Sequence, residues 1–218
     1  MIATITNPPD GYMDAGTEGE LAALLDLVEE DRDIRAVVFT GGMADVFIRH
    51  YDVGVLEELS RGMAGRGMTF DTSRSVPESP YHLCLRRIAS MPKAFVAAIN
   101  GTAMGGGFEL ALACDIRVAK DGPYWLGLPE INIGLLPGAG GTQRLPRLIG
   151  EGRALEMMLR GRTLRPREAA EWGLVSACVD GDVVAVASAI AHEVARKPAR
   201  ALANIKRLVR GSTSRPLS

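Results

Sequence analysis

Residues 100–115 of the 218-residue chain, NGTAMGGGFELALACD, decide the fold. Three consecutive glycines are followed, after Phe108, by Glu109, and no further charge occurs until Asp115. Glycine permits a tight turn and close backbone approach, and a carboxylate in the first turn of a helix complements the macrodipole, so a surface position is one interpretation. The apolar neighbours Phe108 and Leu110 argue instead for a helix that is buried all round. Burial there would raise the pKa of the Glu109 carboxyl toward the range used in proton transfer.

A second glycine-rich stretch, LPEINIGLLPGAGGTQRLPRLIG, occupies residues 128–150. Glu130 lies in it between apolar runs and has no sequence-adjacent cation. Two isolated glutamates, each beside a glycine-rich turn, could serve as a general acid/base pair, although the sequence pattern leaves open whether they meet. Neither stretch has the GxGxxG spacing or the Gly-Lys-Ser/Thr ending of a nucleotide phosphate loop, so that interpretation is disfavoured.

Around these stretches, hydrophobic periodicity predicts alternating strands and helices. AVVF at 36–39 and AFVAAI at 94–99 are short apolar runs typical of strands buried on both faces. The last third is mainly helical, and Pro198 is expected to separate two helices. Residues 60–80 are the one long stretch without periodicity, and we expect a lid or a disordered loop there.

Composition excludes several classes of protein. The formal net charge is −1 with acidic and basic residues interspersed, which gives no drive toward nucleic acid or an anionic membrane, so we expect a small-molecule partner. No run approaches the roughly 18 apolar residues of a membrane span, and the first residues lack a targeting pattern, so a cytoplasmic protein is expected. The three cysteines are far apart and without CxxC spacing, and we expect reduced thiols rather than a disulfide framework or zinc site.

Taken together, the two glycine-rich stretches resemble the signature of the enoyl-CoA hydratase/isomerase family, the crotonase superfamily. The resemblance covers most of the chain and includes, more loosely, NPP at 7–9, AVVFTG at 36–41, MPKAFVAAING at 91–101 and EAAEWGLVSACV at 168–179. It implies an α/β fold of the ClpP/crotonase type, a spiral of repeated ββα units over residues 1–180. A shortened C-terminal helical segment over 181–218 would follow.

The resemblance also implies a chemistry. In that family an acyl-CoA thioester binds with its carbonyl oxygen between two backbone N–H groups, which stabilise enolate-like charge. Gly106 matches one donor and Tyr51 the other. Glu109 matches the residue that activates water and Glu130 the one that protonates C2, which together give syn hydration of a trans-2-enoyl-CoA. Coenzyme A is part of the substrate, so no metal or redox cofactor is implied, and a homotrimer or hexamer is expected.

Four further motif positions are expected to contact the substrate: Gly105, Leu128, Pro129 and Gly138. The donor segment departs from the family, because Phe47-Ile48-Arg49-His50-Tyr51-Asp52 replaces the usual small residues. Every residue except proline has a backbone N–H, so this segment can still supply the second N–H donor to the thioester carbonyl oxygen.

Arg49, His50 and Asp52 are candidate substrate-binding residues in this altered segment. The His50 and Tyr51 side chains could narrow the acyl pocket or add a hydrogen bond; alternatively, they point away and only the backbone matters. A catalytic triad of His50, Tyr51 and Asp52 is disfavoured, because adjacent side chains cannot all converge on one point and no GxSxG accompanies them.

Other departures leave alternatives open. The spacing between the two glutamates is one residue longer than usual, and the C-terminus is short of the helices that complete the acyl pocket and trimer in the family. The family's CoA-facing lysine has no counterpart, so Lys93, Arg49 or the basic 60–80 segment would meet the phosphates. Isomerases of the family generally keep only the carboxylate at the Glu130 position, so having both favours a hydratase. An isomerase, a thioester hydrolase or a catalytically weak acyl-CoA-binding protein remain the alternatives.

Overall fold

The computed structural model describes residues 1–67 and 78–212. Its strands are β1 (Ile2–Ile5), β2 (Ala36–Gly41), β3 (Val46–Ile48), β4 (Ala94–Ile99), β5 (Thr102–Met104), β6 (Ile116–Lys120), β7 (Leu126–Gly127), β8 (Thr163–Leu164) and β9 (Ala177–Val179). Its helices are α1 (Ala15–Glu30), α2 (Val53–Gly65), α3 (Pro80–Ser90), α4 (Gly106–Ala113), α5 (Gly141–Ile149), α6 (Glu151–Leu159), α7 (Pro166–Glu171), α8 (Val183–Ala195) and α9 (Ala199–Arg210), with a 3₁₀ helix at Glu130–Ile133.

The strands form two sheets that the chain visits alternately. One sheet has the order β1-β2-β4-β6-β9 and is parallel throughout. The other has the order β3-β5-β7-β8, in which only β7 and β8 pair antiparallel. Each of β2, β4 and β6 lies in the first sheet and is followed by a strand of the second, which gives the repeated turns of a spiral. The α/β crotonase-type fold expected from the sequence is thereby confirmed.

Close backbone crossings fix this spiral and explain two of its glycines. A Cβ on Gly101 would lie 1.9 Å from the carbonyl carbon of Asp45, and one on Gly107 would lie 2.2 Å from the carbonyl oxygen of Ile48. No side chain fits at such distances, so glycine is required by the approach of two backbones. Asn100 ties the same region together, because its side chain bonds both the N–H and the carbonyl of Gly41.

Helix α4 lies in the middle of the main core, and every one of its residues is buried. This confirms the expectation of a helix enclosed on all sides. On the other face of the parallel sheet, Val183, Ala187 and Ala191 of α8 pack against strand residues such as Val96. The expected break at Pro198 is also confirmed, since that residue separates α8 from α9.

Helix α9 is anchored to the core by a buried lysine. Lys206 is 9% exposed, and its Nζ lies 2.9 Å from Oδ2 of Asp115. The same ammonium donates to the carbonyls of Ile88 and Lys93, each at 2.9 Å. Three acceptors from different parts of the chain therefore hold the last described helix in place.

The expectation of a lid or disordered loop over residues 60–80 is wrong at its two ends. Helix α2 continues to Gly65 and α3 begins at Pro80, where Ser79 caps it. Residues 68–77 lie outside the described residues. The three cysteines are free thiols, as expected. Among the described helices, none combines the length and apolar character needed to cross a bilayer.

Candidate active site

Two backbone N–H groups meet where α4 begins. Gly106 is the first residue of α4, and a Cβ on it would lie 3.5 Å from the backbone nitrogen of Tyr51. Tyr51 follows β3 and is flanked by hydrogen bonds to Met13, one accepted by the carbonyl of His50 and one donated by the N–H of Asp52. Within residues 1–67 and 78–212, the N–H groups of Tyr51 and Gly106 have no backbone acceptor. Two adjacent donors, one at a helix N-terminus, suit a carbonyl oxygen that gains negative charge.

Glu109 is held in a fixed orientation beside these donors. It lies in the first turn of α4 and is 2% exposed. Its Oε1 accepts hydrogen bonds from the N–H of Ala139 at 2.8 Å and of Gly141 at 2.7 Å. Burial raises the pKa of this carboxyl, while the two N–H donors and the guanidinium of Arg144 partly oppose that rise. Oε1 is thus occupied, and Oε2 is the oxygen left for chemistry.

Glu130, unlike Glu109, has a buried carboxyl oxygen that accepts no hydrogen bond within the described part of the chain. It opens the 3₁₀ helix after β7, and its Oε2 is buried without a hydrogen-bond partner among the described residues. Its Oε1 would lie 3.3 Å from a Cβ on Gly105, which places the carboxyl against the turn that precedes α4. Burial and, to a smaller extent, the charge of Glu109 raise the pKa of Glu130 to about 7, against the opposing effect of a backbone hydrogen bond. The two glutamates therefore interact electrostatically, with one hydrogen-bonded and one poised to hold a proton near neutral pH.

The side chains of the donor segment are engaged by the protein itself. The Tyr51 hydroxyl donates to Oε2 of Glu18 on α1 at 3.2 Å, and burial together with the Glu18 charge raises the pKa of Tyr51 to about 12. The His50 ring stacks on Tyr12 with 4.5 Å between centroids, and its Nδ1 lies 2.7 Å from the carbonyl oxygen of Tyr51. This arrangement fits the alternative in which the Tyr51 side chain points away from the site and only its backbone N–H faces it.

The remaining predicted contact residues are spread around the site. Arg49 Nε donates to the carbonyl of Asp10 at 2.8 Å, and the Asp52 carboxylate caps α2 through the N–H of Gly54 at 2.8 Å. These two side chains therefore have local structural partners. Leu128 and Pro129 directly precede Glu130; Leu128 is buried, whereas Gly138 is exposed in the loop that leads to Ala139.

Sequence reasoning did not identify Tyr81 as part of the site. Its ring is buried on α3, and its hydroxyl donates to the carbonyl of Gly106 at 2.6 Å. The Tyr81 and Tyr51 rings lie 5.8 Å apart, so Tyr81 packs beside both of the residues whose N–H groups meet here. A polar group on the apolar face of α3 was the available signal, but the sequence does not tell where that hydroxyl points.

Lys93, considered above for the CoA phosphates, is engaged elsewhere. Its ammonium donates to the carbonyls of Val28 and Asp31 at the end of α1. No group of three or more His, Cys, Asp or Glu side chains suited to a metal ion occurs in the described ranges.

Comparison with known proteins identifies the family of the chain. The model of the enoyl-CoA hydratase/isomerase family matches residues 2–218. A probable enoyl-CoA hydratase of Bacillus subtilis (strain 168) is 37% identical over 210 residues, which are 95% of this chain and 77% of that protein. The fatty acid oxidation complex subunit alpha of Shewanella amazonensis is 38% identical over 183 residues, 82% of this chain but only 25% of that much longer protein.

Solved structures give the same result. An enoyl-CoA hydratase from Bacillus anthracis superposes with a TM-score of 0.84 at 32% identity, covering 99% of this chain and 81% of that one. DspI of Pseudomonas aeruginosa superposes with a TM-score of 0.83 at 35% identity, covering 98% and 84%. The chain belongs to the enoyl-CoA hydratase/isomerase family.

Proposed function

We propose that this protein is an enoyl-CoA hydratase, which reversibly adds water in the syn sense across the 2,3 double bond of a trans-2-enoyl-CoA thioester. One observation carries the proposal: a buried glutamate and a half-buried one, with different surroundings, lie beside a pair of backbone N–H groups without a backbone acceptor among the described residues. Glu109 has one oxygen bound by two N–H groups, whereas Glu130 has a buried oxygen without a partner. Such a pair can take a proton from water and give one to carbon.

The backbone donors would act on the thioester. With its carbonyl oxygen between the N–H groups of Tyr51 and Gly106, attack at C3 pushes the double-bond electrons through C2 onto that oxygen. The resulting enolate is stabilised by two fixed backbone dipoles and by the N-terminus of α4. These interactions strengthen as charge develops, so they favour the transition state over the bound substrate.

The two carboxyls would complete the addition. Glu109 Oε2 takes a proton from water as the water oxygen bonds to C3, and Glu130 gives a proton to C2 as the enolate electrons return. The net result is H and OH added to one face, and the proton now on Glu109 returns to Glu130 through the next water. Water and the thioester supply every atom, so no metal or redox cofactor enters the proposal.

Double-bond isomerisation is the second candidate. Glu130 favours it by itself, because a carboxyl with an unpartnered oxygen and a pKa of about 7 can both remove and return a proton at carbon. The firm anchoring of Glu109 by two N–H groups is what favours hydration instead.

The decisive experiment is turnover of crotonyl-CoA and longer trans-2-enoyl-CoAs, followed by loss of the enoyl absorbance. Hydration is expected for at least one chain length. Binding of acyl-CoA without turnover at any chain length would contradict the proposal and favour a binding protein.

We also propose that the protein works in the cytoplasm as a homotrimer or hexamer. Support comes from the family resemblance and from exposed apolar side chains on α9: Ile205, Leu208 and Val209 are each more than half exposed. Such patches typically become covered when subunits associate. Light scattering after size exclusion should give a mass of three or six chains; a monomeric mass would contradict this.

A further inference from the structure

A cavity of about 680 Å³ lies between α3, α5 and α9, apart from the carboxyl pair. We call it the arginine cavity, after the five guanidinium side chains that line it: Arg86, Arg144, Arg147, Arg207 and Arg210. They come from three helices, so positive charge surrounds the space on several sides.

The charge of this cavity is poorly compensated. Among residues 1–67 and 78–212, no aspartate or glutamate lines it. Arg86 pairs with Glu78 at 3.0 Å and Arg210 with Asp115 at 3.2 Å. The other three arginines have no carboxylate within 4 Å in the part of the chain that the structure describes.

These guanidinium groups also repel one another. Burial lowers the pKa of the Arg144 guanidinium; the negative charge of Glu109 opposes this, while the positive charges of Arg210 and Arg147 add to the lowering. Like charges gathered in a partly desolvated space destabilise the charged forms, and an anion placed among them would relieve that cost. The cavity therefore has an excess of positive charge that a bound anion would offset.

We propose that the arginine cavity is a binding site for a phosphorylated small molecule, recognised through a diphosphate group. Arginine binds phosphate oxygens in bidentate fashion. Five guanidinium groups from three helices suit a ligand group that carries several oxygens better than they suit a single carboxylate. The volume falls within the range of about 300–1,000 Å³ typical of small-molecule sites. Gln143 and Asn204 add amide groups, while Ala89 and Ala203 offer an apolar surface to the organic part.

A diphosphate group could come from two sources, the coenzyme A end of an acyl thioester or a separate nucleotide. The chemistry recognised is the same for both. The inference does not depend on hydration, since it rests on residues outside the carboxyl pair and its test measures binding alone.

Isothermal titration of the full chain with inorganic pyrophosphate at fixed ionic strength tests the site. Saturable binding of one pyrophosphate per chain is expected. The R147Q/R207Q variant removes two exposed arginines without carboxylate partners and should weaken binding by about tenfold or more. The matched control R196Q/R200Q removes two exposed arginines that do not line the cavity, and its affinity should stay within about twofold of the parent chain.

The proposal would be overturned if the parent chain shows no saturable binding of pyrophosphate. It would also be overturned if R196Q/R200Q loses as much pyrophosphate affinity as R147Q/R207Q. Binding of an acidic peptide without binding of pyrophosphate would likewise overturn it, since the occupant would then be a protein segment. Circular dichroism checks the fold of each variant. If the glutamine variant does not fold, R147K/R207K, which keeps the charge and loses the fork, should still bind more weakly than the parent; equal affinity would count against arginine recognition.

Competition separates the two sources. Coenzyme A that displaces pyrophosphate, and that itself binds more weakly to R147Q/R207Q, would support the site and assign it to the thioester. ADP that displaces pyrophosphate while coenzyme A does not would support the site and assign it to a separate ligand.

Discussion

Glu109 and Glu130 carry the same functional group in different surroundings, and this difference predicts different roles. Replacing Glu109 by Gln keeps the size of the side chain but removes its ability to accept a proton. Hydration should fall by about 10²–10⁴-fold in kcat, the usual contribution of general base catalysis, while acyl-CoA still binds. Steady-state kinetics with crotonyl-CoA together with titration by a saturated acyl-CoA measure both. If most activity survives, the reaction is one that Glu130 performs alone.

The pH dependence should report Glu130. Its pKa is raised from 4.5 to about 7, so in the folded protein it holds its proton below pH 7 and loses it above. Because the protonated form is the donor to C2, kcat/KM for hydration should fall as pH rises through about 7. In Glu130→Gln, the residual kcat/KM should not show this fall around pH 7. A rate that stays flat from pH 6 to pH 9 would contradict the assignment of Glu130 as the acid.

Tyr51 should act through its backbone. Its hydroxyl contacts Glu18 and not the opening between the donors, and its N–H remains when the side chain changes. Tyr51→Phe should therefore keep kcat within about threefold while losing about 1 kcal/mol of stability, because Glu18 loses a hydrogen bond. Hydration assays and urea unfolding measure the two effects. A loss of activity beyond about 100-fold in a folded variant would show that the phenol takes part in the chemistry.

At the scale of elements, the start of α4 tolerates less change than the loop before α5. A Cβ on Gly106 would lie 3.2 Å from the Cβ of Tyr51 and would press the two donor segments apart, whereas a Cβ on Gly138 would meet nothing within 4 Å. Gly106→Ala keeps the N–H but displaces it, so kcat should fall by up to about 10²–10³-fold, the cost of losing one oxyanion donor. Gly138→Ala should stay within about twofold in the same assay. Equal activities would mean that the thioester oxygen does not bind here.

Helices were predictable where they bury a face. The sequence predicts α4 because its residues are apolar on all sides, and it predicts the break between α8 and α9 because proline cannot continue a helix. Helix α2 was not predicted from the sequence, and its residues 60–65 were expected to lie in a lid or disordered loop; none of the residues of α2 is buried. Hydrophobic periodicity reports burial, so a helix that lies against no core leaves only a weak pattern.

The candidate site divides in the same way. Glu109, Glu130 and Gly106 stand in motifs with local sequence signals, so they could be named from the chain alone. The contact between Tyr81 and Gly106 joins residues 25 positions apart, and that between Tyr51 and Glu18 joins residues 33 positions apart. Such contacts depend on how α1 and α3 pack onto the donors, which no local pattern encodes.

At the scale of the whole molecule, Lys206 should matter for stability far more than its place near the C-terminus suggests. Lys206→Ala would leave Asp115 and the carbonyls of Ile88 and Lys93 without their shared donor, at a cost of about 2–4 kcal/mol in the free energy of unfolding. Lys197→Ala is the matched control. Lys197 makes only an exposed pair with Glu193, so that variant should lose less than about 0.5 kcal/mol. Urea unfolding followed by circular dichroism measures both, and similar midpoints would show that α9 is not anchored through Lys206.

Main-chain crossings position the two proposed oxyanion donors as well as the strands. Gly107, one residue beyond the donor Gly106, is the position where α4 passes against the backbone of Ile48, three residues before Tyr51. The fold itself thus sets the positions of the two backbone N–H groups, whereas a single substitution at position 109 or 130 replaces a carboxyl. Under the proposed function, substitution at positions 109 and 130 would change the proton-transfer groups, and so the reaction, while the backbone donors for an enolate stay in place.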